Sequence, residues 1–406
     1  MPRLRRHRRL WLALALGAAC GVVLTWSAAE HPALADPAPF TVTSTLPRWL
    51  APGGRLTVQG TAGPAEAITL FVGGLQRTKT TGDDGAFVFK TRAPARGGLY
   101  PVAVEVARDP IERIEVGSLR VRALVFAAAG DVNLGDRVGT AISAYGTRYP
   151  WLSVAPVLRA ADIAMTNLEC SVSTRGSPVP KEFTFRGSPS SLRAMAAYAG
   201  VDVVTVANNH SLDFGRLAFA DTLHYARLYG MKTAGGGGNL SAARRPAIFL
   251  RGGLRIAILG YSDVRPPGFD AGSNTSGTAP AFPWYISSDV RRARAGGADV
   301  VVVYFHWGIE RTFSPTSRQR SLAQFAFDAG AKVVLGAHPH VLQPIERPGL
   351  RRVVAWSLGN FVFGANTPGT ESTGILRLRL GRAGVLSHAF RRARIGGTYH
   401  VQPQLT

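Results

Sequence analysis

The segment "VLGAHPHVLQPIE", residues 334–346, places His338 and His340 two apart just after an apolar run, with Gly336 before them and Pro339 between. At the tip of a strand, two imidazoles aimed at one point can hold a metal ion. Similar side chains follow other apolar runs. "AAAGDVNLGD" puts Asp131 and Asn133 after one, and "MTNLECS" puts Asn167 and Glu169 after a second. "VANNHSLDFG" puts Asn208, Asn209, His210 and Asp213 after a third, and "YFHWGIE" adds His306 and Glu310. One histidine at a strand end is usually satisfied by its neighbours. Donors recurring at strand end after strand end ask for a common ligand. Imidazole, carboxylate and amide donors suit Zn²⁺, Mn²⁺ or Fe better than thiolate-selected metals, so Cys170 beside Glu169 reads as a small buried residue.

The elements that must position these donors change character along the chain. From Phe40 to about Val121, runs such as "RLTVQG", "AITLFVGG", "GAFVFKT" and "YPVAVEVA" alternate apolar and polar residues, with "PGG" and "GDDG" as turns. They predict a small antiparallel sandwich, similar to bacterial Ig-like modules. From about Leu124, continuous apolar runs ("ALVFAAAG", "ADIAMTN", "VDVVTVANN", "LRIAILG", "ADVVVVYFH", "AKVVLGAH", "RRVVAWSLGN") read as buried strands. "SPSSLRAMAAYAG", "GRLAFADTLHYARLYG" and "SRQRSLAQFAFDAG" read as helices between them. The alternation predicts a layered α/β domain. In such domains, ligands sit beyond the carboxyl ends of the strands, where the donors lie.

"GDVNLGDR", "NLECSVS", "ANNHSLDFG", "HWGIE", "GAHPHVLQPIE" and "SLGNFVFG" resemble, in order, the motifs of the CapA family of poly-γ-glutamate capsule biosynthesis proteins. That family is related in fold to the calcineurin-like metallophosphoesterases. The resemblance covers roughly residues 122–395. It implies a metallophosphoesterase-like β-sandwich flanked by helices, with one or two divalent ions at the strand ends. By motif, Asp131, Glu169, Asn209, His306, His338 and His340 are the implied metal ligands. His210 is the implied catalytic acid, oriented by Asp213 or Asp131. Asn133 stands where the phosphoesterases carry a metal-binding histidine, which weakens one metal position. Asn133, Asn167, Asn208, Glu310 and Asn360 are expected to contact substrate or to orient the ligands from behind. Lys181 and Arg186 in "KEFTFRGSP" are candidate anion binders, a solvated basic loop being the plainer alternative.

The formal net charge is +22, and five arginines against Glu30 in residues 1–35 leave about +18 on the rest. An anionic polymer, a cell-envelope component or lipid headgroups are the partners such charge favours. Nucleic acid is disfavoured, since no binding motif accompanies the charge. "MPRLRRHRRL" followed by "LWLALALGAACGVVLTW" and "ALA" at 33–35 predicts a signal peptide or N-terminal membrane anchor over 1–35, and hence export. The expected layout continues with an Ig-like sandwich over 36–121, the metallophosphatase-like domain over 122–396 and a tail over 397–406. Without Cys20, Cys170 is the remaining thiol, so no internal disulfide is expected. The glycine run at 235–238 reads as a flexible turn, and the Pro/Gly/Ser-rich stretch 262–283 as a lid or a disordered insertion. The leading functional expectation is a metal-dependent hydrolase-type protein of capsule synthesis, release or anchoring. The alternatives are a metallophosphoesterase on an unknown ester and a non-catalytic polymer-binding assembly factor.

Overall fold

The computed structural model describes residues 37–365 and 367–406, so the expected leader 1–35 lies outside the described residues. Among them, no helix is long and apolar enough to cross a membrane. Pro39–Thr406 form one compact unit.

The alternating segments at the start of this unit form two antiparallel sheets. Thr41–Val42, Arg55–Thr61 and Ala86–Arg92 make one; Ala67–Val72, Leu75–Thr80, Gly98–Val106 and Glu112–Val121 make the other. The alternation becomes burial directly: Leu56 and Val58 point inward while Arg55, Thr57 and Gln59 are exposed. Leu56, Val58, Ile68, Leu70, Phe87 and Val104 share a core of their own. Asp299, in the α/β part, receives Arg55 at 2.6 Å and Arg92 at 3.1 Å from this sandwich.

The α/β part is built on two further sheets. In the first, β1 (Leu124–Val132), β2 (Ile163–Leu168), β3 (Val203–Thr205) and β4 (Lys232–Ala234) run parallel. In the second, β5 (Ala247–Arg251) pairs antiparallel with β6 (Leu254–Ser262), which runs parallel to β7 (Val300–His306) and β8 (Val333–Ala337). This sheet ends with β9 (Ile345–Glu346) and β10 (Val353–Ala355), in the order β5-β6-β7-β8-β10-β9. The chain then returns to the first sheet: β11 (Asn360–Val362) pairs with β1, and β12 (Ser372–Gly381), β13 (Gly384–Gly396) and β14 (Gln402–Leu405) extend its edge antiparallel. The expected tail 397–406 thus supplies an edge strand.

Phe126, Met165, Ile256, Ile258, Val302, Leu335, Leu376 and Leu378 fill the space between the sheets. Helices α1 (Asp136–Tyr145), α2 (Pro189–Ala197) and α3 (Gly215–Leu228) cover the outer face of the first sheet. α4 (Pro283–Ala295) and α5 (Ser317–Asp328) cover the second. This is the layered sandwich flanked by helices that the resemblance implies. Strands covered on both faces need no alternation, which is why "IAMTNL" and "VVVVYFH" are buried throughout. α5 starts where Thr316 and Gln319 form a reciprocal capping box. α1 and α4 were not among the expected helices; neither has a side chain bonded at its N-cap.

Two expectations about loops change. Gly236–Gly237 pairs antiparallel with Gly277–Thr278, so the glycine run is a short strand. The 262–283 stretch is tied down by that pairing, by Arg265–Asp270 and by Ser262 N–H to Ala279 O at 2.9 Å. Close backbone approach explains Gly130. A Cβ there would lie 1.8 Å from Gly359 O, and the next residue's N–H, that of Asp131, donates to the same oxygen at 2.9 Å. Gly130→Ala should therefore push β11 off β1 and cost at least about 2 kcal/mol. Urea denaturation would measure this; an unchanged midpoint would mean the two backbones are not in contact.

Candidate metal centre

The carboxyl ends of the parallel strands meet at one end of the sandwich. Asp131 pairs in register with Asn167 on one side and Asn360 on the other. His306 ends β7 beside Ala337, the last residue of β8. Immediately after β8 the backbone turns sharply: His338 (φ 95°) and His340 (φ 58°) both adopt left-handed conformations. Such conformations cost side-chain-bearing residues about 1–3 kcal/mol each and cluster at functional sites. The turn brings the His338 N–H to Asp131 Oδ2 at 3.1 Å and the His338 ring to within 4.7 Å of the His306 ring.

Two groups of donor side chains result: Asp131, Glu169 and His306, and Glu169, His338 and His340. In each, one ligand atom per residue lies within 4.8 Å of the others, and Glu169 belongs to both. Asn209 Oδ1 lies 2.7 Å from His306 Nε2, and His340 Nδ1 lies 3.5 Å from Asp131 Oδ2. All six residues expected as ligands are thus brought together.

The electrostatics of this cluster are unusual for a largely buried one. Asp131, Glu169 and His306 have no solvent exposure. Neither Glu169 oxygen has a hydrogen-bond donor, and His338 Nδ1 has no partner. His306 Nε2 does approach Glu169 Oε1 to 3.3 Å, but it is closer to Asn209 Oδ1. Burial pushes the Asp131 carboxyl well above the usual range, and repulsion from Glu169 adds to it. Burial also raises Glu169 and holds His306 and His338 well below the usual imidazole value. For His340, burial works downward, but the pull of Glu169 and Asp131 prevails and raises it. Buried acids without donors are costly. A divalent cation bound by carboxylate oxygens and neutral imidazoles relieves that cost, and the donor set fits such an ion.

Asparagines hold these donor side chains in place. Asn167 Nδ2 donates to Asp131 Oδ1 at 2.8 Å and lies 3.2 Å from His306 Nδ1, while its Oδ1 accepts from Asn208 at 3.0 Å. Asn208 Oδ1 in turn accepts the His210 N–H at 3.0 Å. Asn360 Oδ1 lies 2.8 Å from His340 Nδ1. Orienting partners of this kind tune affinity at metal sites.

His210 Nδ1 lies 2.6 Å from Asp213 Oδ2, and its ring stacks on Phe185 with centroids 4.3 Å apart. Asp213, rather than Asp131, is the carboxylate that reaches it. Lys181, a candidate anion binder or part of a solvated basic loop, is engaged with the protein. Its Nζ donates to Asp213 Oδ1 at 2.8 Å and Asn209 O at 2.5 Å, and lies 3.0 Å from His210 Nδ1. Thirty-two residues separate Lys181 from Asp213, and no sequence spacing announces that pair.

Three expected contacts fall elsewhere. Asn133 Oδ1 accepts the Gly135 N–H at 2.8 Å, fixing the approach to α1. Arg186 is exposed, with its guanidinium 4.3 Å over the Phe214 ring and 3.3 Å from Gly176 O. Glu310 is exposed and acts only as a more distant charge on His340. Cys170 is buried, its thiol pushed up to about 12 by burial, as a residue outside the ligand set should be. Sequence reading missed Tyr304, whose hydroxyl crosses between the sheets to Ala129 O at 3.0 Å. Its place in an unbroken apolar run gave no sign of that role.

The chain matches the family model described as "Bacterial capsule synthesis protein PGA_cap" over residues 125–365. It is 34% identical over 258 residues to the PGA biosynthesis protein CapA of Bacillus subtilis, covering 63% of this chain and 67% of that one. To the capsule biosynthesis protein CapA of Bacillus anthracis it is 30% identical over 266 residues, covering 63% and 64%. To a probable polyglutamine synthesis accessory protein of Mycobacterium tuberculosis it is 29% identical over 234 residues, covering 54% and 61%. The chain thus spans about two thirds of the length of these relatives. A solved purple acid phosphatase from yellow lupin aligns at 11% identity and a TM-score of 0.25 over 88% of this chain and 71% of that one, too distant to carry an argument. Every donor residue lies within the matched span. The chain belongs to the bacterial capsule synthesis protein family.

Proposed function

We propose that this chain is an exported protein with a divalent-metal, hydrolase-type site, acting on an anionic capsule polymer such as poly-γ-glutamate during its synthesis, release or anchoring. The observation that carries the reading is Glu169, a wholly buried carboxylate with no donor for either oxygen, common to both groups of ligands. When bound, a divalent ion supplies Lewis-acid polarisation of the scissile group and lowers the pKa of water. The residues of this chain supply the rest. Asp131, Glu169, Asn209, His306, His338 and His340 would hold the ion, with Asn167, Asn208 and Asn360 fixing their directions. Asp213 can only accept, so its short contact with His210 Nδ1 places that nitrogen's proton toward the carboxylate. Nε2 is left to pass a proton to a leaving group. Export rests on the basic and then apolar sequence of residues 1–35.

The test is to load the full chain with Mn²⁺, count bound metal, and follow the length of added poly-γ-glutamate. Shortening that EDTA abolishes supports the reading; metal-loaded protein that leaves the polymer intact rejects hydrolysis. His210→Ala should keep its metal yet cleave about 10²–10⁴-fold more slowly. Unaltered cleavage by that variant would remove His210 from proton transfer.

A further inference from the structure

We propose that a hollow beside His340 is a subsite for an extended chain of carboxylates, with Arg392 and Arg394 taking them in succession. The proposal rests on the reading above for the identity of its ligand, a γ-linked glutamate chain, but its geometry is independent of the metal.

The hollow, about 500 Å³, is lined by Phe313, Leu342, Ile345, Phe390, Arg392 and Arg394. Leu342, which lines the hollow, follows His340 by two residues, so a short stretch of chain links the hollow to the donor cluster. Side chains alternate along β13, which places Phe390, Arg392 and Arg394 on one face. Across the ladder, Arg392 pairs with Gly374, over which the Phe390 ring lies, and Arg394 pairs with Ser372. Among the described residues, no carboxylate lies within ion-pair distance of Arg392. Arg394 makes one contact with Glu371, at 3.4 Å, with its own side chain 71% exposed. Phe313 stays 58% exposed at the rim. The hollow therefore joins two guanidinium groups, that of Arg394 shared with Glu371, to a lining in which Leu342, Ile345 and Phe390 alternate with Gln343, Ser357 and Thr373.

That pairing selects a ligand. Side chains two apart on a strand stand about 6.8 Å from each other. A γ-linked glutamate unit puts five backbone bonds between successive α-carbons instead of three, so its carboxylates recur at roughly 6 Å when extended. Its methylene pairs would lie on Leu342, Ile345 and Phe390 while the carboxylates reach the two guanidinium groups.

The test uses the full-length protein and a fluorescent γ-linked glutamate decamer, with anisotropy as readout. Wild type should bind it, and Arg392→Gln/Arg394→Gln should weaken binding about tenfold and flatten its salt dependence. The control Arg377→Gln/Arg379→Gln alters the opposite face of the neighbouring strand β12 and should change affinity less than about twofold. Unchanged affinity in R392Q/R394Q, or an equal loss in the control, would each overturn the assignment. The two readings fail separately. Decamer binding that survives EDTA in a protein unable to shorten polymer rejects the hydrolase and keeps the subsite. Polymer shortening with the same KM in wild type and R392Q/R394Q keeps the hydrolase and rejects the subsite.

Discussion

Glu169→Gln should lower affinity for divalent metal by more than about 100-fold, beyond the effect of losing a merely orienting partner. Glutamine keeps the volume and one carbonyl oxygen, so the loss isolates charge and ligand geometry. Glu169 is the residue on which both ligand groups depend, so neither ion position can survive on the remaining set alone. The same change should leave the metal-free protein at least as stable as wild type. The new amide N–H groups supply donors to a pocket in which Glu169 currently has none and His338 Nδ1 goes unpaired. The wild type should gain about 2.7 kcal/mol of stability at a metal concentration 100 times its dissociation constant, and the variant should not. His338→Ala should behave similarly in metal content, since it removes a direct ligand. Elemental analysis after dialysis, together with denaturation with and without Mn²⁺, measures both halves. Wild-type metal retention in the two variants would end the metal reading.

The donor cluster was readable in the sequence because strand ends are conspicuous. A continuous apolar run that stops at Asp131, Asn167, His306 or Gly336-Ala337-His338 announces both a buried strand and the place where its polar side chains emerge. Parallel strands then carry those ends to one edge of the sandwich. The loops behaved differently. Arg186 and Lys181 lie five residues apart in one basic loop, yet one stacks on Phe214 while the other is pinned between Asp213 and Asn209 O. Loop direction follows tertiary contacts, such as Phe185 N–H donating to Asp213 at 2.7 Å, and these have no period to read. α1 and α4 escaped for a related reason. Their polar faces interrupt the apolar pattern, and neither start has a capping side chain to mark it. Tyr304 was hidden by the very burial that makes its strand obvious.

Asp213→Ala should be among the most destabilising single changes in the chain, by about 3–5 kcal/mol. The carboxylate has no exposure and accepts three hydrogen bonds, from Lys181 at 2.8 Å, the Phe185 N–H at 2.7 Å and His210 Nδ1 at 2.6 Å. Its removal leaves a mostly buried ammonium group with the Asn209 carbonyl to accept from it, and leaves the Phe185 N–H and His210 Nδ1 without their acceptor. Lys181→Met should cost less, about 1–3 kcal/mol, because Asp213 keeps two of its donors. Removing both charges, as Asp213→Leu with Lys181→Met, should cost less than the two single changes together by about 1–3 kcal/mol. Urea denaturation of the four proteins gives that coupling directly; strict additivity would mean the pair does not interact. Metal content should stay at the wild-type level throughout, since neither residue belongs to the ligand groups. Lys181 nevertheless bonds the backbone of Asn209 while Asp213 holds the adjacent His210, so the pair joins a proposed ligand to the proposed proton carrier across one peptide unit. Loss of turnover in a variant that still binds metal and still folds would therefore report the placing of His210, separately from the ion.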